Sequence, residues 1–151
     1  MTTYTVLHVE DEAADRLILS AAFKKAAPHV LLKAVFDGEQ AIAYLSGAGP
    51  FADRGANPLP QLVLLDLKLP RRSGLEVLAW IRSHPDLKRI PVVMLTSSSE
   101  PADLDRAYAL GADSYLVKSV DLQSMREIVR GIGEYASLVA QNPGIPFPTP
   151  R

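Results

Sequence analysis

Short apolar runs alternate along this chain with longer stretches in which apolar residues recur three and four apart, the two rhythms of strands and helices. Thr5 to Val9 is a β-branched and apolar run that predicts a strand and closes on Glu10-Asp11-Glu12. From Ala13 to Ala27, the residues Ala14, Leu17, Ile18, Ala21 and Ala22 fall on one helical face, and Pro28 stops the helix. Val30 to Phe36 predicts a second strand, after which Asp37 reads as the N-cap of a helix from Gly38 to Leu45. Residues 46–60 are rich in Gly and Pro, lack periodicity and read as an enlarged surface loop. Leu62 to Leu65 is apolar on both faces, as a central strand of a parallel sheet must be, and it ends at Asp66 because Pro70 cannot donate to a ladder. Ser73 to His84 is a helix with Leu75, Val77, Leu78 and Ile81 at helical spacing, ended by Pro85. Pro91 to Leu95 predicts a fourth strand closed by Thr96, and a helix with Pro101 in its first turn runs to about Leu110, with Gly111 beyond. Ser114 to Val117 is a fifth strand closed by Lys118. Asp121 reads as the N-cap of a last helix whose stripe is Leu122, Met125, Val129, Ile132, Ala136 and Val139.

Strand and helix thus alternate five times, and each crossover is long enough for a right-handed parallel βαβ unit. The expected fold is α/β, a doubly wound (βα)5 domain with a five-stranded parallel sheet between two helical layers. Asp11, Asp66, Thr96 and Lys118 all fall at carboxyl ends of strands, the edge where open α/β sheets bind ligands.

A chain of 151 residues suits one domain, here residues 1–140, followed by a Pro-rich tail at 141–151. The net charge of −1, with basic pairs far apart in sequence, argues against a nucleic-acid or anionic-membrane surface. Cysteine is absent, which excludes disulfides, thiol catalysis and thiolate metal sites. No signal-like start and no spanning apolar run is present, so a cytoplasmic location is the default expectation. His8, His29 and His84 lack metal-binding spacing and read as structural or surface residues.

Glu10, Asp11 and Asp66 on one rim would repel one another and raise each other's pKa unless a cation were present. Mg²⁺, which takes one or two carboxylates together with water and phosphate oxygens, resolves the conflict. A carboxylate can also act as nucleophile toward a phosphoryl group, with Lys118 and Thr96 supplying a cation and a hydroxyl to its oxygens. Taken singly, each residue has a plainer reading: Asp66 as a polar strand end, Lys118 as a solvated strand end, Thr96 as a helix cap, and Glu10-Asp11-Glu12 as acids favoured at a helix N-terminus. An aspartate-nucleophile phosphatase or dehalogenase would want a second acid where Lys68 stands. A flavodoxin-type FMN protein would want Gly or Ser/Thr after the first strand, where three acids stand instead.

Over roughly Thr3 to Val139 the chain resembles the receiver domain of two-component response regulators, the CheY-like family. The resemblance rests on Glu10-Asp11, on L-L-D-L-x-L-P around Asp66, on S-G-L-E after it, on P-V-V-M-L-T with Thr96, and on G-A-D-S-Y-L-V-K with Lys118. It implies that Asp66 accepts phosphate from a sensor histidine kinase. It also implies that Asp11, Asp66 and the backbone carbonyl of Lys68 hold Mg²⁺, with Glu10 acting through a metal-bound water. Thr96 is similar to the family's switch hydroxyl and Tyr115 to its switch aromatic, which turns inward on phosphorylation. Such a protein catalyses only its own phosphorylation and dephosphorylation. The pseudo-receiver, a non-phosphorylated interaction module, is the alternative. Two positions depart from the common pattern: Ser119 replaces a proline that shapes the following loop, and Lys68 places a long cation where it could shield an acyl phosphate from water.

The Glu10-Asp11 start, the long loop before Asp66 and the Lys118-Ser119 pair are similar to stand-alone regulators of phytochrome-type sensor kinases, and no output domain is expected. On the last helix a second set, Ile128, Tyr135 and Leu138, lies beside the stripe, with Gly131 open to a close approach by another backbone. That set suits either a deeply buried helix or a homodimer built on it. The apolar Ile145 and Phe147 in the tail suggest docking on a neighbouring subunit.

Overall fold

The computed structural model describes residues 4–118 and 121–148. In chain order the elements are β1 (Tyr4–Val9), α1 (Ala13–Ala26), β2 (Val30–Val35), α2 (Gly38–Ser46), a 3-10 turn (Gly49–Phe51), β3 (Leu62–Leu65), α3 (Gly74–Ser83), β4 (Val92–Thr96), α4 (Pro101–Ala109), β5 (Ser114–Val117) and α5 (Leu122–Gln141). The strands form one five-stranded sheet in the order β2-β1-β3-β4-β5, with every neighbouring pair parallel. The expected doubly wound three-layer fold is therefore the observed one, with boundaries displaced by about a residue.

Each face of the sheet carries its own core. Leu7, Val9, Val63, Leu65 and Met94 point to α2, α3 and α4, while Val6, Leu62, Leu64, Val93 and Leu95 point to α1 and α5. That alternation is why β3, the central strand, reads as an unbroken apolar run. Caps fix the helix starts. The Asp37 side chain accepts from Gln40 N–H, and Ser73 and Glu76 form a reciprocal capping box at α3. The loop at 46–60 is held rather than free: Arg54 donates to the carbonyls of Tyr44 and Leu45, and the Tyr44 hydroxyl donates to Pro58 O.

One expectation is corrected, and α5 and the tail show their contacts within the chain. On α1 the buried residues are Leu19, Ala22 and Phe23, whereas Leu17 is 72% exposed and Ile18 also faces solvent. The bulkier Leu19 and Phe23, four apart, fill the space over the sheet better than the stripe of alanines does. Leu17 and Ile18 instead line an open groove with Leu122 on α5. On α5 the close approach within the chain is at Gly133, while Gly131 stays open. A Cβ at Gly133 would lie 2.8 Å from that of Ala27, while one at Gly131 would meet nothing within 4 Å. Tyr135 belongs to the core, whereas Leu138 is exposed. Finally, Ile145 and Phe147 pack on this chain's own α5. Phe147 meets Tyr135 edge-on at 5.1 Å, and the Tyr135 hydroxyl donates to Ile145 O.

The two glycines should respond oppositely to substitution. Gly133→Val is expected to lower the free energy of urea unfolding by about 1–3 kcal/mol through overpacking against Ala27. Gly131→Ala is expected to raise it by about 0.5–1 kcal/mol, because it only removes backbone freedom from an exposed helical position. Equal effects at the two sites would refute this packing of α5 on the turn after α1.

Candidate functional site

The register of the parallel strands builds the site. Val9 pairs with Leu65, and Asp66 N–H donates to Val9 O, so the ends of β1 and β3 are level and Glu10 stands beside Asp66. Thr96 pairs with Val117, and Lys118 N–H donates to Thr96 O at 2.7 Å, which brings the ends of β4 and β5 to the same rim. Gly74 permits the turn after β3 to fold back on the site. Its N–H reaches Leu67 O, and a Cβ there would lie 2.0 Å from Asp66 O. Arg71, with φ of 71°, and Arg72 tie that turn to Asp37 and Glu39 at the start of α2.

Oxygens of Glu10, Asp11 and Asp66 all lie within 4.8 Å of one another. Glu10 is fully buried, Asp66 nearly so, and Asp11 is exposed. Lys118 Nζ sits among them, 3.0 Å from Asp66 Oδ2, 2.9 Å from Asp15 Oδ2 and 2.5 Å from Glu10 Oε1. The last is a contact of charges rather than an aligned hydrogen bond, for Glu10 Oε1 has no such donor. Burial, reinforced by the Asp66 charge, pushes the Glu10 carboxyl up to about 7 against the pull of Lys118. For Lys118, burial works against the charge, but the carboxylates of Glu10, Asp15 and Asp66 around it outweigh that and raise its pKa. Behind the rim, burial and then the Lys118 charge hold the His8 imidazole down to about 4, so it is neutral at pH 7.

The donor set fits a hard divalent ion. It offers three carboxylates in reach of one another, one of them carrying a buried oxygen without an aligned donor. Lys68 lies exposed in the turn after β3, its N–H 3.4 Å from Asp66 Oδ1. Ser119 lies outside the described residues. Thr96 is buried, and its Oγ1 accepts from Ser98 N–H. Tyr115 lies inward, its hydroxyl donating to Ser98 O at 2.9 Å.

The arrangement thus unites Glu10, Asp11, Asp66 and Lys118, and it adds two residues that were not singled out from sequence. Ser98 links Thr96, Tyr115 and, through Oγ, Asp103 on α4. Asp15, in the first turn of α1, pairs with Lys118 from 103 residues away, a pairing that no local spacing signals.

Residues 6–130 match the response regulator receiver domain family. The response regulator Rcp1 of Synechocystis sp. is 40% identical over 130 residues, spanning 86% of each chain. Among solved structures, the phosphorylated cyanobacterial phytochrome response regulator RcpA superposes with a TM-score of 0.81 at 38% identity, covering 90% of this chain and 95% of RcpA. The Mn²⁺-bound form of Rcp1 gives 0.77 at 36%, covering 97% and 99%. The fold and the acid rim define a receiver domain. This chain belongs to the response regulator receiver family and is similar to stand-alone phytochrome response regulators.

Glu10 makes stability depend on pH. Folding raises its pKa from 4.5 to about 7, so its contribution is full below about pH 4.5 and is lost as pH climbs through about 7. In EDTA, the unfolding free energy of wild type should fall more steeply between about pH 5 and about pH 8 than that of Glu10→Gln. Parallel curves would show that Glu10 holds no extra proton in the folded chain.

Proposed function

We propose that this protein is a two-component response regulator that takes a phosphoryl group from a sensor histidine kinase onto Asp66 and signals by a change of conformation. The observation that carries this reading is the buried Asp66 carboxylate, 3.0 Å from the Lys118 ammonium and within the acid trio. Relatives that serve phytochromes favour a phytochrome-type kinase as the donor. The Asp66 carboxylate attacks phosphorus. An O–P bond forms, the N–P bond of the kinase phosphohistidine breaks, and the imidazole nitrogen keeps the electron pair. Lys118 steadies the charge on the transferring group, and the Thr96 hydroxyl donates to another of its oxygens. Mg²⁺, held by Asp11, Asp66 and the Lys68 carbonyl with Glu10 behind it, would supply charge neutralisation to the phosphoryl oxygens. The protein is thus a phosphoacceptor in signalling, not an enzyme acting on other substrates.

Intact mass after incubation with acetyl phosphate tests this directly. Wild type with Mg²⁺ should gain a single phosphoryl increment, and EDTA or Asp66→Asn should abolish it. A gain indifferent to both would leave the pseudo-receiver reading in its place.

Lys68, exposed and two residues after Asp66, would keep water from the acyl phosphate with its long side chain. Lys68→Ala should therefore shorten the phosphoprotein lifetime, by about two- to tenfold. An unchanged rate of phosphate loss argues against such shielding.

The same reading includes a homodimer formed through α5 and the tail. Ile128, Gly131 and Leu116 line an open groove that Phe147 and Pro148 extend, a surface with the apolar character of a self-association face. Sedimentation as a monomer at micromolar concentration, with and without a phosphoryl mimic, would reject it. No described helix is long and apolar enough to cross a membrane, which is consistent with a cytoplasmic site of action.

A further inference from the structure

Lys118 is shared between two kinds of acid. Glu10 and Asp66 belong to the trio whose oxygens lie within 4.8 Å of one another, whereas Asp15 does not. Asp15 stands in the first turn of α1 with its side chain 37% exposed, whereas those of Glu10 and Asp66 are 0% and 8% exposed, so it is the most solvent-exposed of the three acids around the ammonium. The nearby Arg16 is committed elsewhere, to the Glu10 carbonyl and over the Phe36 ring. Lys118 is thus the cation that meets all three acids.

A divalent ion bound by the trio takes the carboxylates that hold the ammonium on its inner side and repels it as well. An ammonium left buried without an anion is costly, so an ion that displaced Lys118 outright would be opposed by the lysine. Asp15 removes that opposition. It keeps one strong, charge-assisted hydrogen bond at 2.9 Å from a carboxylate that is not one of the trio. Bound there, Nζ stays at the rim within reach of a group on Asp66.

We infer that Asp15 is a positioning residue, the anchor that retains Lys118 at the site when Mg²⁺ engages Glu10 and Asp66. The inference rests on the phosphoacceptor reading for the use made of that lysine, but the anchoring itself is measurable without phosphorylation. Calorimetric Mg²⁺ titration of the full unphosphorylated chain, in wild type, Asp15→Asn, Lys118→Ala and the double variant, forms the test. Asp15→Asn should weaken Mg²⁺ by about fivefold when Lys118 is present, and by less than about twofold when Lys118→Ala has already removed the ammonium. Equal weakening in both backgrounds would mean that Asp15 acts only through its own charge, and no weakening in either would mean that it does not act at all. Either result overturns the inference.

With Mg²⁺ saturating and acetyl phosphate as donor, Asp15→Asn should lower the maximal rate of Asp66 labelling by about tenfold at unchanged half-saturation, and Asp15→Glu should restore most of it. An unchanged maximal rate also counts against the inference. A wild type that shows the Mg²⁺ coupling yet never takes a phosphoryl group would instead refute the phosphoacceptor reading and leave the anchoring intact.

Discussion

The ammonium of Lys118 among buried carboxylates is the interaction on which this structure turns. A fully buried Glu10 and a nearly buried Asp66 would be prohibitive without a counter-charge, and the lysine supplies one at 2.5 and 3.0 Å. The compensation is partial: Glu10 still holds its proton up to about 7. One cation against several acids leaves the rim short of positive charge, and that deficit makes it receptive to a divalent ion. A site fully neutralised by its own side chains would have no such appetite.

Everything else holds that charge cluster in register. Parallel pairing sets the ends of four strands level, and a slip of one residue would turn Glu10 or Asp66 into the wrong layer. Two apolar layers, one on each face of the sheet, make such a slip costly. The turn after β3 closes over the rim only because Gly74 and Gly38 have no side chain. A Cβ on the first would strike Asp66 O, and one on the second would strike Arg72 O at 2.4 Å.

Strand positions were legible in the sequence because β1, β3, β4 and β5 are short apolar runs closed by a polar residue, and those closing residues build the site. Helix faces were less legible. On α1 the alanines and the pair Leu17-Ile18 formed a plausible stripe, but the pattern carries no information on volume, and Leu19 with Phe23 fills the layer instead. Gly131 and Gly133 look alike in a helix until the position of Ala27 is known. Asp15 escaped notice because its partner lies 103 residues away, and pairing at that range is set by the fold rather than by spacing. For the same reason Ser98 read as one of three serines after a strand rather than as the partner of Tyr115.

The inward Tyr115 bears on how a signal could leave the site. Phosphorylation shifts a conformational equilibrium only by the contacts it makes in one state and not in the other. The inward Tyr115 ring is tied through its hydroxyl to the backbone of Ser98, so any such contact that moves one bears on the other. Ser98 is where these contacts meet. Its N–H donates to Thr96 Oγ1 at 3.3 Å, its carbonyl holds Tyr115, and its hydroxyl donates to Asp103 Oδ2 at 2.6 Å. A Thr96 hydroxyl that turned toward a phosphoryl group would give up the Ser98 N–H, the longest and weakest of the three bonds. Tyr115 and Asp103 would keep their hold on Ser98. The displacement would then pass into the β4–α4 connection and the first turn of α4.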